Sequence, residues 1–337
     1  MTNISLWNNL DTQKRKYHNG GQKKNDRESE AYVMDIRFEK REHLKEKPDQ
    51  KHLGFGKYMT DYMFVMDWTK EEGWKDARIV PEGPITMDPA CVTLHYAQET
   101  FEGMKAYRTA EGKIQLFRPE MNAKRMINSN ARLCMPELPV DMFVEAVKAL
   151  VKVEEDWVPS EPETSLYIRP FMFATEAALG VHMASAYKFM IICCPVGAYY
   201  AEGINPVKIL VEDELVRAVK GGTGFTKCGG NYAGSILGQV KAEKMGYSQV
   251  LWLDGEHRKY VEEVGTMNIM FKIAGEIYTA PIEGTVLPGV TRDSMIHLLR
   301  DWGYKVNETR LSVDDLMKAG HDGTLEEVFG TGTAAVI

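Results

Sequence analysis

The sequence predicts an α/β protein with α+β character, built as a smaller N-terminal α/β lobe and a larger C-terminal lobe rich in antiparallel sheet. Three observations lead there. The 337 residues, 44% of them apolar, have room for about two globular domains. Strand-like and helix-like patterns follow one another through the first part of the chain. After a polar Gly/Pro break at 199–208 the texture changes to short strands joined by tight turns.

Residues 1–52 are polar and charged and are expected to form a poorly ordered extension that adds little to the core. They contain no apolar segment suited to a secretory signal and too little Arg for a transit peptide. The small domain is expected over 53–198, the linker over 199–208 and the large domain over 209–337.

Within the small domain, "YMFVMDW" at 62–68 reads as a strand, and "KIQLFR" at 113–118 as another after the Glu111-Gly112 turn. From Met142 to Val153, apolar residues at 143, 144, 147, 150 and 151 mark one helical face. Tyr167–Phe173 and Phe189–Val196 read as buried strands. In the large domain, Asn231–Met245 places Ala233, Ile236, Leu237 and Val240 on one helical face and closes with Gly246. "QVLWLDG" is a strand entering a turn, and "NIMFKIAGEIYTAP" is a hairpin around Ala274-Gly275.

Composition excludes several classes of function. A net charge of −7 is opposite to the basic face that neutralises nucleic-acid phosphates. No apolar run approaches the roughly 20 residues that cross a bilayer. The five cysteines are odd in number and form no C-x-x-C pair, which fits neither a disulfide framework nor a zinc site and points to a reducing cytoplasmic compartment without a bound metal.

Three Gly-rich stretches invite nucleotide readings, and spacing rejects two. "GGTGFTKC" at 221–228 has Thr226 where a P-loop requires Gly and Cys228 where it requires Ser or Thr. "GTGTAA" at 330–335 has no helix and acid following it within the sequence, as a dinucleotide site requires. The third, "LPGVTRDSMIHLLRDWG", leads into a helix whose first N–H groups, at Val290 and Thr291, could hold a phosphate; an ordinary Gly-led helix start is the plainer reading. "GTGTA" would offer further donors to the same group.

Lys227 lies among Gly224, Gly229 and Gly230 with Tyr232 five residues on. A lysine nucleophile needs a depressed pKa and close backbone approach, which a glycine-lined cleft supplies; a solvated loop lysine is the alternative. Glu262 and Glu263 fall on a strand, so one of them should face inward, where a carboxylate could hold a heterocyclic nitrogen protonated.

Taken together, "FGKYMTDYMF", "YAQETFEGMKAYR", "LFRPEMNAKRM", "SLYIRPF", "CPVGAYY", "GGTGFTKCGGNYA", "QVLWLDG", "EEVGTMN", "LPGVTRDS" and "EVFGTGTAAV" resemble, in order from about Gly54, the branched-chain amino-acid aminotransferases of the fold-type IV pyridoxal-phosphate enzymes. The resemblance implies pyridoxal 5′-phosphate as cofactor. It makes Lys227 the residue that forms the internal aldimine and shuttles the proton, Tyr232 the partner of the phenolic oxygen and Glu263 that of the pyridine nitrogen. Arg125, Val290, Thr291 and Thr333 become phosphate ligands.

The resemblance further places Thr266 and Ala334 near the substrate carboxylate, and Phe55, Tyr96, Tyr167 and Tyr199 among pocket aromatics. Tyr96 and Val181 would come from the other subunit of a homodimer, and Arg169 would meet the side-chain carboxylate of glutamate. Tyr167 and Tyr199 are also readable as core aromatics, and Arg169 as a surface ion pair. The implied reaction is ping-pong transfer of the amino group of leucine, isoleucine or valine to 2-oxoglutarate, giving the branched 2-oxo acid and glutamate. D-amino-acid aminotransferases and aminodeoxychorismate lyases are the alternatives within the fold, and a cofactor-binding remnant without turnover is the alternative outside catalysis. Two departures from the pattern stand out. Ala335 occupies the first position of a C-x-x-C pair, so thiol regulation of that kind is not expected. Family members also continue some tens of residues further, so the large domain is expected to be cut short.

Overall fold

The first sheet has eight strands: β1 (Arg37–Phe38), β2 (Tyr62–Thr69), β3 (Gly73–Pro81), β4 (Glu99–Phe101), β5 (Met104–Arg108), β6 (Ile114–Leu116), β7 (Ser165–Ala174) and β8 (Ala186–Val196). These belong to a computed structural model that describes residues 34–197 and 206–334. Their order is β1-β3-β2-β8-β7-β5-β6, with β4 pairing the far end of β7. Helices α1 (Val92–Tyr96), α2 (Pro119–Arg132) and α3 (Val140–Val153) accompany them. The helical stripe expected from 143 onward is the buried side of α3: Phe143, Val147, Leu150 and Val151 enter one apolar core with Phe64, Leu166, Ile168 and Phe189.

The second sheet has seven strands: β9 (Ile209–Glu212), β10 (Gln249–Leu253), β11 (Val261–Val264), β12 (Met267–Ile273), β13 (Glu276–Thr279), β14 (Val306–Glu308) and β15 (Leu325–Thr331). Apart from the parallel pairs β9/β10 and β13/β14 its ladders are antiparallel. β12 and β13 form the expected hairpin, whose turn holds Ala274 and Gly275 at φ 48° and 80°, the left-handed pair that a two-residue turn matching strand twist requires. Helices α4 (Gly229–Lys244), α5 (Val290–Asp301) and α6 (Val313–Asp322) complete this half. Both sheets lie within one compact unit, Val33–Ile337.

Two readings change. The apolar stripe of α4 is not its packing face: Ile236, Leu237 and Val240 are exposed, and the helix packs through Asn231, Gly238 and Ala242. Trp252 on β10 decides this, because a Cβ on Gly238 would stand 2.5 Å from the indole ring. The glycine is the site of closest approach, and the larger side chains are turned outward. The described part of the polar N-terminal stretch is also fixed in place. Met34 enters the first core, and main-chain N–H groups of Met34, Arg41 and Lys45 donate to Glu145, the Tyr62 hydroxyl and Asp61. Polar bonds hold it together with the apolar contacts of Met34 and Ile36. Residues 198–205, most of the expected linker, lie outside the described residues.

Among the described residues no helix is long and apolar enough to cross a membrane, and no cluster of His, Cys, Asp or Glu could hold a metal ion.

Candidate active site

A cavity of about 410 Å³ opens where the two sheets meet, within the range of small-molecule sites. Chain topology delivers its walls. β15 runs beside β12 with Thr331 opposite Asn268, so the 332–334 segment lies against the tight β11–β12 turn at Gly265-Thr266. α2 contributes Arg125, β7 contributes Tyr167 and Arg169, α4 contributes Tyr232, and the start of α5 contributes Val290 and Thr291. Phe55, Lys227, Thr266, Thr333 and Ala334 are also on the wall.

Two residues expected to come from the other subunit, and one pocket aromatic, are not seen on this wall. Tyr96 and Val181 do not line this cavity; Val181 is 88% exposed, and the Tyr96 hydroxyl accepts from the Gly180 N–H at 3.0 Å on the surface. Tyr199 lies outside the described residues.

Lys227 is fixed along its backbone. Its N–H donates to Ser129 Oγ (3.0 Å), and its carbonyl accepts from the Phe101 N–H (2.9 Å). Nζ is 3.1 Å from the Tyr232 hydroxyl and 4.5 Å from the centre of the Phe101 ring. Burial, and next the charge of Arg125, bring the Lys227 pKa from 10.5 down to about 8, with Glu102 opposing. Burial pushes the Tyr232 phenol up to about 12, so it keeps its proton at neutral pH. The amine is protonated below about pH 8 and neutral above it. In cofactor-free protein, labelling of Lys227 by acetic anhydride is therefore expected to rise through a midpoint near pH 8, as read by mass spectrometry. A midpoint near the ordinary 10.5 would show that the side chain is not desolvated.

Arg125 is held as a fork: Nε donates to Glu102 Oε1 (2.8 Å) and Nη2 to Oε2 (2.7 Å), leaving Nη1 on the Pro288 carbonyl (3.2 Å). Beside it begins α5, whose first N–H groups have no partner within the helix. A guanidinium facing a helix N-terminus is suited to a phosphate dianion.

Of the two neighbouring acids on β11, Glu263 faces inward at 2% exposure, while Glu262 is half-buried against Thr285. Asn268 donates to Glu263 Oε1 at 3.0 Å. Arg217 Nη1 lies 2.7 Å from Oε2, forming a buried ion pair. Burial lifts the Glu263 carboxyl to about 7, with Arg217 pulling the other way. Glu263 is not itself on the cavity wall; it stands behind Asn268, which is. An amine, a phenol and a phosphate seat around one cavity, with a buried carboxyl behind its wall, fit a phosphorylated pyridine aldehyde. Thr331 Oγ1, buried and without a partner on the same wall, is a further free polar atom.

A family model described as amino-transferase class IV matches residues 99–337. The chain belongs to that family. Class IV aminotransferases depend on pyridoxal 5′-phosphate, in agreement with the donor set above. The chain is 54% identical over 302 residues to branched-chain-amino-acid aminotransferase 2 of Bacillus subtilis, covering 90% of this chain and 83% of the relative. Among solved structures it resembles the branched-chain amino acid aminotransferase of Escherichia coli (TM-score 0.68, 27% identity, 82% and 84% of the two chains). It also resembles that of Thermobaculum terrenum in its PLP-form (TM-score 0.66, 25% identity, 82% and 83%).

Four groups at this class IV site were not singled out from the sequence. Phe101 and Glu102 stand inside the "TFEGM" segment, where an acid between Phe and Gly ahead of an apolar strand is the available signal. Asn268 stands five residues after its partner Glu263, inside "EEVGTMN"; Arg217 carries no local signal, because its partners Glu263 and Thr285 lie far along the chain.

Proposed function

We propose that the protein is a branched-chain amino-acid aminotransferase that moves the amino group of L-leucine, L-isoleucine or L-valine to 2-oxoglutarate by a ping-pong reaction, with Lys227 as nucleophile and base. The observation that carries this reading is the Lys227 amine, 3.1 Å from the Tyr232 phenol, in a cavity also walled by Arg125 and the start of α5. Bound pyridoxal phosphate supplies an electron sink for the pair left when the substrate Cα–H bond breaks.

The chain's own groups do the remainder. Arg125 with the Val290, Thr291 and Thr333 region would bind the phosphate. Tyr232, protonated, would hold the phenolic oxygen, and Glu263 would pair with the ring nitrogen. Neutral Lys227 takes the Cα proton and returns it on the other side of the transfer. Thr266 and Ala334, both on the cavity wall, are assigned to the substrate carboxylate.

Phe55, Phe101 and Tyr167 give the pocket an apolar wall. Arg169 donates to the Tyr167 hydroxyl at 2.9 Å and stacks 4.6 Å from the Phe101 ring centre, with its Nε buried and unpartnered. A cation folded against aromatic rings leaves room for an apolar side chain, and its free donor suits a carboxylate. Replacing Arg169 by Ala is expected to raise KM for 2-oxoglutarate and glutamate about 10- to 100-fold, the worth of a charged hydrogen bond, with KM for leucine within about threefold. Equal losses on both substrates would remove Arg169 from this role.

A homodimer belongs to the same reading and is supported by the exposed Tyr96 and Val181, which would reach a partner's pocket. Light scattering giving the mass of one chain would exclude it. A cytoplasmic location is supported by five cysteines that are all free; a disulfide found in the native protein would count against it.

The decisive assay is the absorbance of the cofactor-loaded protein after L-leucine and then after 2-oxoglutarate. The first addition should bleach the band and the second restore it. Turnover of D-alanine in place of L-leucine would overturn the assignment.

A further inference from the structure

We propose that Arg217 is a positioning residue that keeps Glu263 in place and draws it toward its charged form, and so governs the protonation of the ring nitrogen that Glu263 would meet. This rests on the reading of the site given above.

Arg217 lies between β9 and α4, and its guanidinium is buried. Nη1 is 2.7 Å from Glu263 Oε2 and donates to the Thr285 carbonyl at 3.1 Å; both terminal nitrogens reach the Gly224 carbonyl, at 3.3 and 3.2 Å. One planar group thereby joins three segments that each carry a working part. Gly224 opens the short stretch that ends at Lys227. Glu263 is on β11. Thr285 begins the stretch that enters α5 and its phosphate-facing N–H groups. These segments approach so closely that a Cβ on Gly224 would overlap the Thr285 carbonyl.

A buried carboxyl without a cation favours its neutral form, and burial is the larger influence on Glu263, with Arg217 the first to oppose it. Asn268 beside Oε1 is neutral and cannot do the same. Arg217 also acts on the Tyr232 phenol, drawing its pKa down while Glu263 raises it. The guanidinium thus biases both polar groups assigned to the cofactor ring. Lysine would retain the charge but not the planar fork that spans two carbonyls and a carboxylate.

A purely structural staple predicts a different pattern from a charge acting through Glu263, and a double-mutant cycle separates them. The variants are Arg217→Gln, Glu263→Gln and the pair, each loaded with pyridoxal phosphate, with pH titration of the cofactor absorbance as the main readout. Cofactor affinity and kcat are measured beside it. Arg217→Gln is expected to move the titration midpoint down by about one pH unit or more, and to lower kcat about tenfold or more with KM for leucine within about twofold. In the Glu263→Gln background the same change should move the midpoint by less than about 0.3 unit. An unmoved midpoint in the single variant, or an equal shift in both backgrounds, would overturn the proposal. If Arg217→Gln does not fold, Arg217→Lys takes its place: the midpoint should stay within about half a unit of wild type while cofactor affinity falls several-fold, and a full-unit shift with the charge retained would overturn it. Wild-type protein that takes up no cofactor would overturn the site reading and this proposal with it.

Discussion

Changing Lys227 to Ala is expected to lower the rate of amino transfer from L-leucine by at least about a thousandfold. General-base catalysis alone is worth roughly 10²- to 10⁴-fold, and the variant also loses the nucleophile that attaches the cofactor. No neighbour can substitute. Tyr232, the closest polar side chain at 3.1 Å, is held protonated with its pKa near 12. Arg125 is engaged with Glu102 through two nitrogens. The backbone of residue 227 would remain fixed by Ser129 and Phe101, so the cavity should persist and still bind cofactor through its phosphate seat. Single-turnover kinetics of the loaded variant with L-leucine test this, with cofactor affinity measured in parallel. A loss below tenfold with affinity unchanged would show that another group is the base.

What was legible in the sequence follows the range of the interactions. Lys227 could be singled out because its special surroundings are local: Gly224, Gly229, Gly230 and Tyr232 are within a few positions. The inward face of Glu263 follows from strand alternation, although alternation alone does not say which of Glu262 and Glu263 is buried. The α3 stripe points inward as periodicity implies. On α4 the same periodicity misleads, because Gly238 against Trp252 outweighs the stripe, and that contact joins a helix to a strand the sequence does not pair. Glu102 and Arg217 have roles that are hard to read from the sequence for a related reason. An acid in "TFEGM" and an Arg in "ELVRAVK" gain meaning only when folding brings Arg125 and Glu263 to them. The family resemblance named Lys227, Tyr232 and Arg125, which the fold brings to one cavity, and the fold supplied the charges that stand behind them.

Glu102 behind Arg125 has the larger consequence for stability. Glu102 is 0% exposed and Arg125 7%. Besides the two arginine bonds, its Oε2 accepts from Asn122 Nδ2 at 2.8 Å and the Gly103 N–H at 3.3 Å. Glu102→Ala would leave a buried guanidinium with the Pro288 carbonyl as its remaining acceptor among these contacts. Breaking a buried pair by removing one partner costs about 3–5 kcal/mol, because the other charge stays desolvated; urea denaturation of the cofactor-free protein should show a loss of that size. Glu102→Gln keeps the shape and part of the bonding, so it should lose less. The pair also reaches Lys227, whose pKa Arg125 lowers and Glu102 raises. With Glu102 gone the arginine acts unopposed, and the midpoint for acetylation of Lys227 should fall below 8. Bound phosphate replaces the missing negative charge, so cofactor should restore more stability to Glu102→Ala than it adds to wild type. A stability loss under about 1 kcal/mol, with the Lys227 midpoint unmoved, would mean that water reaches this pair and that Arg125 does not depend on Glu102 for its place.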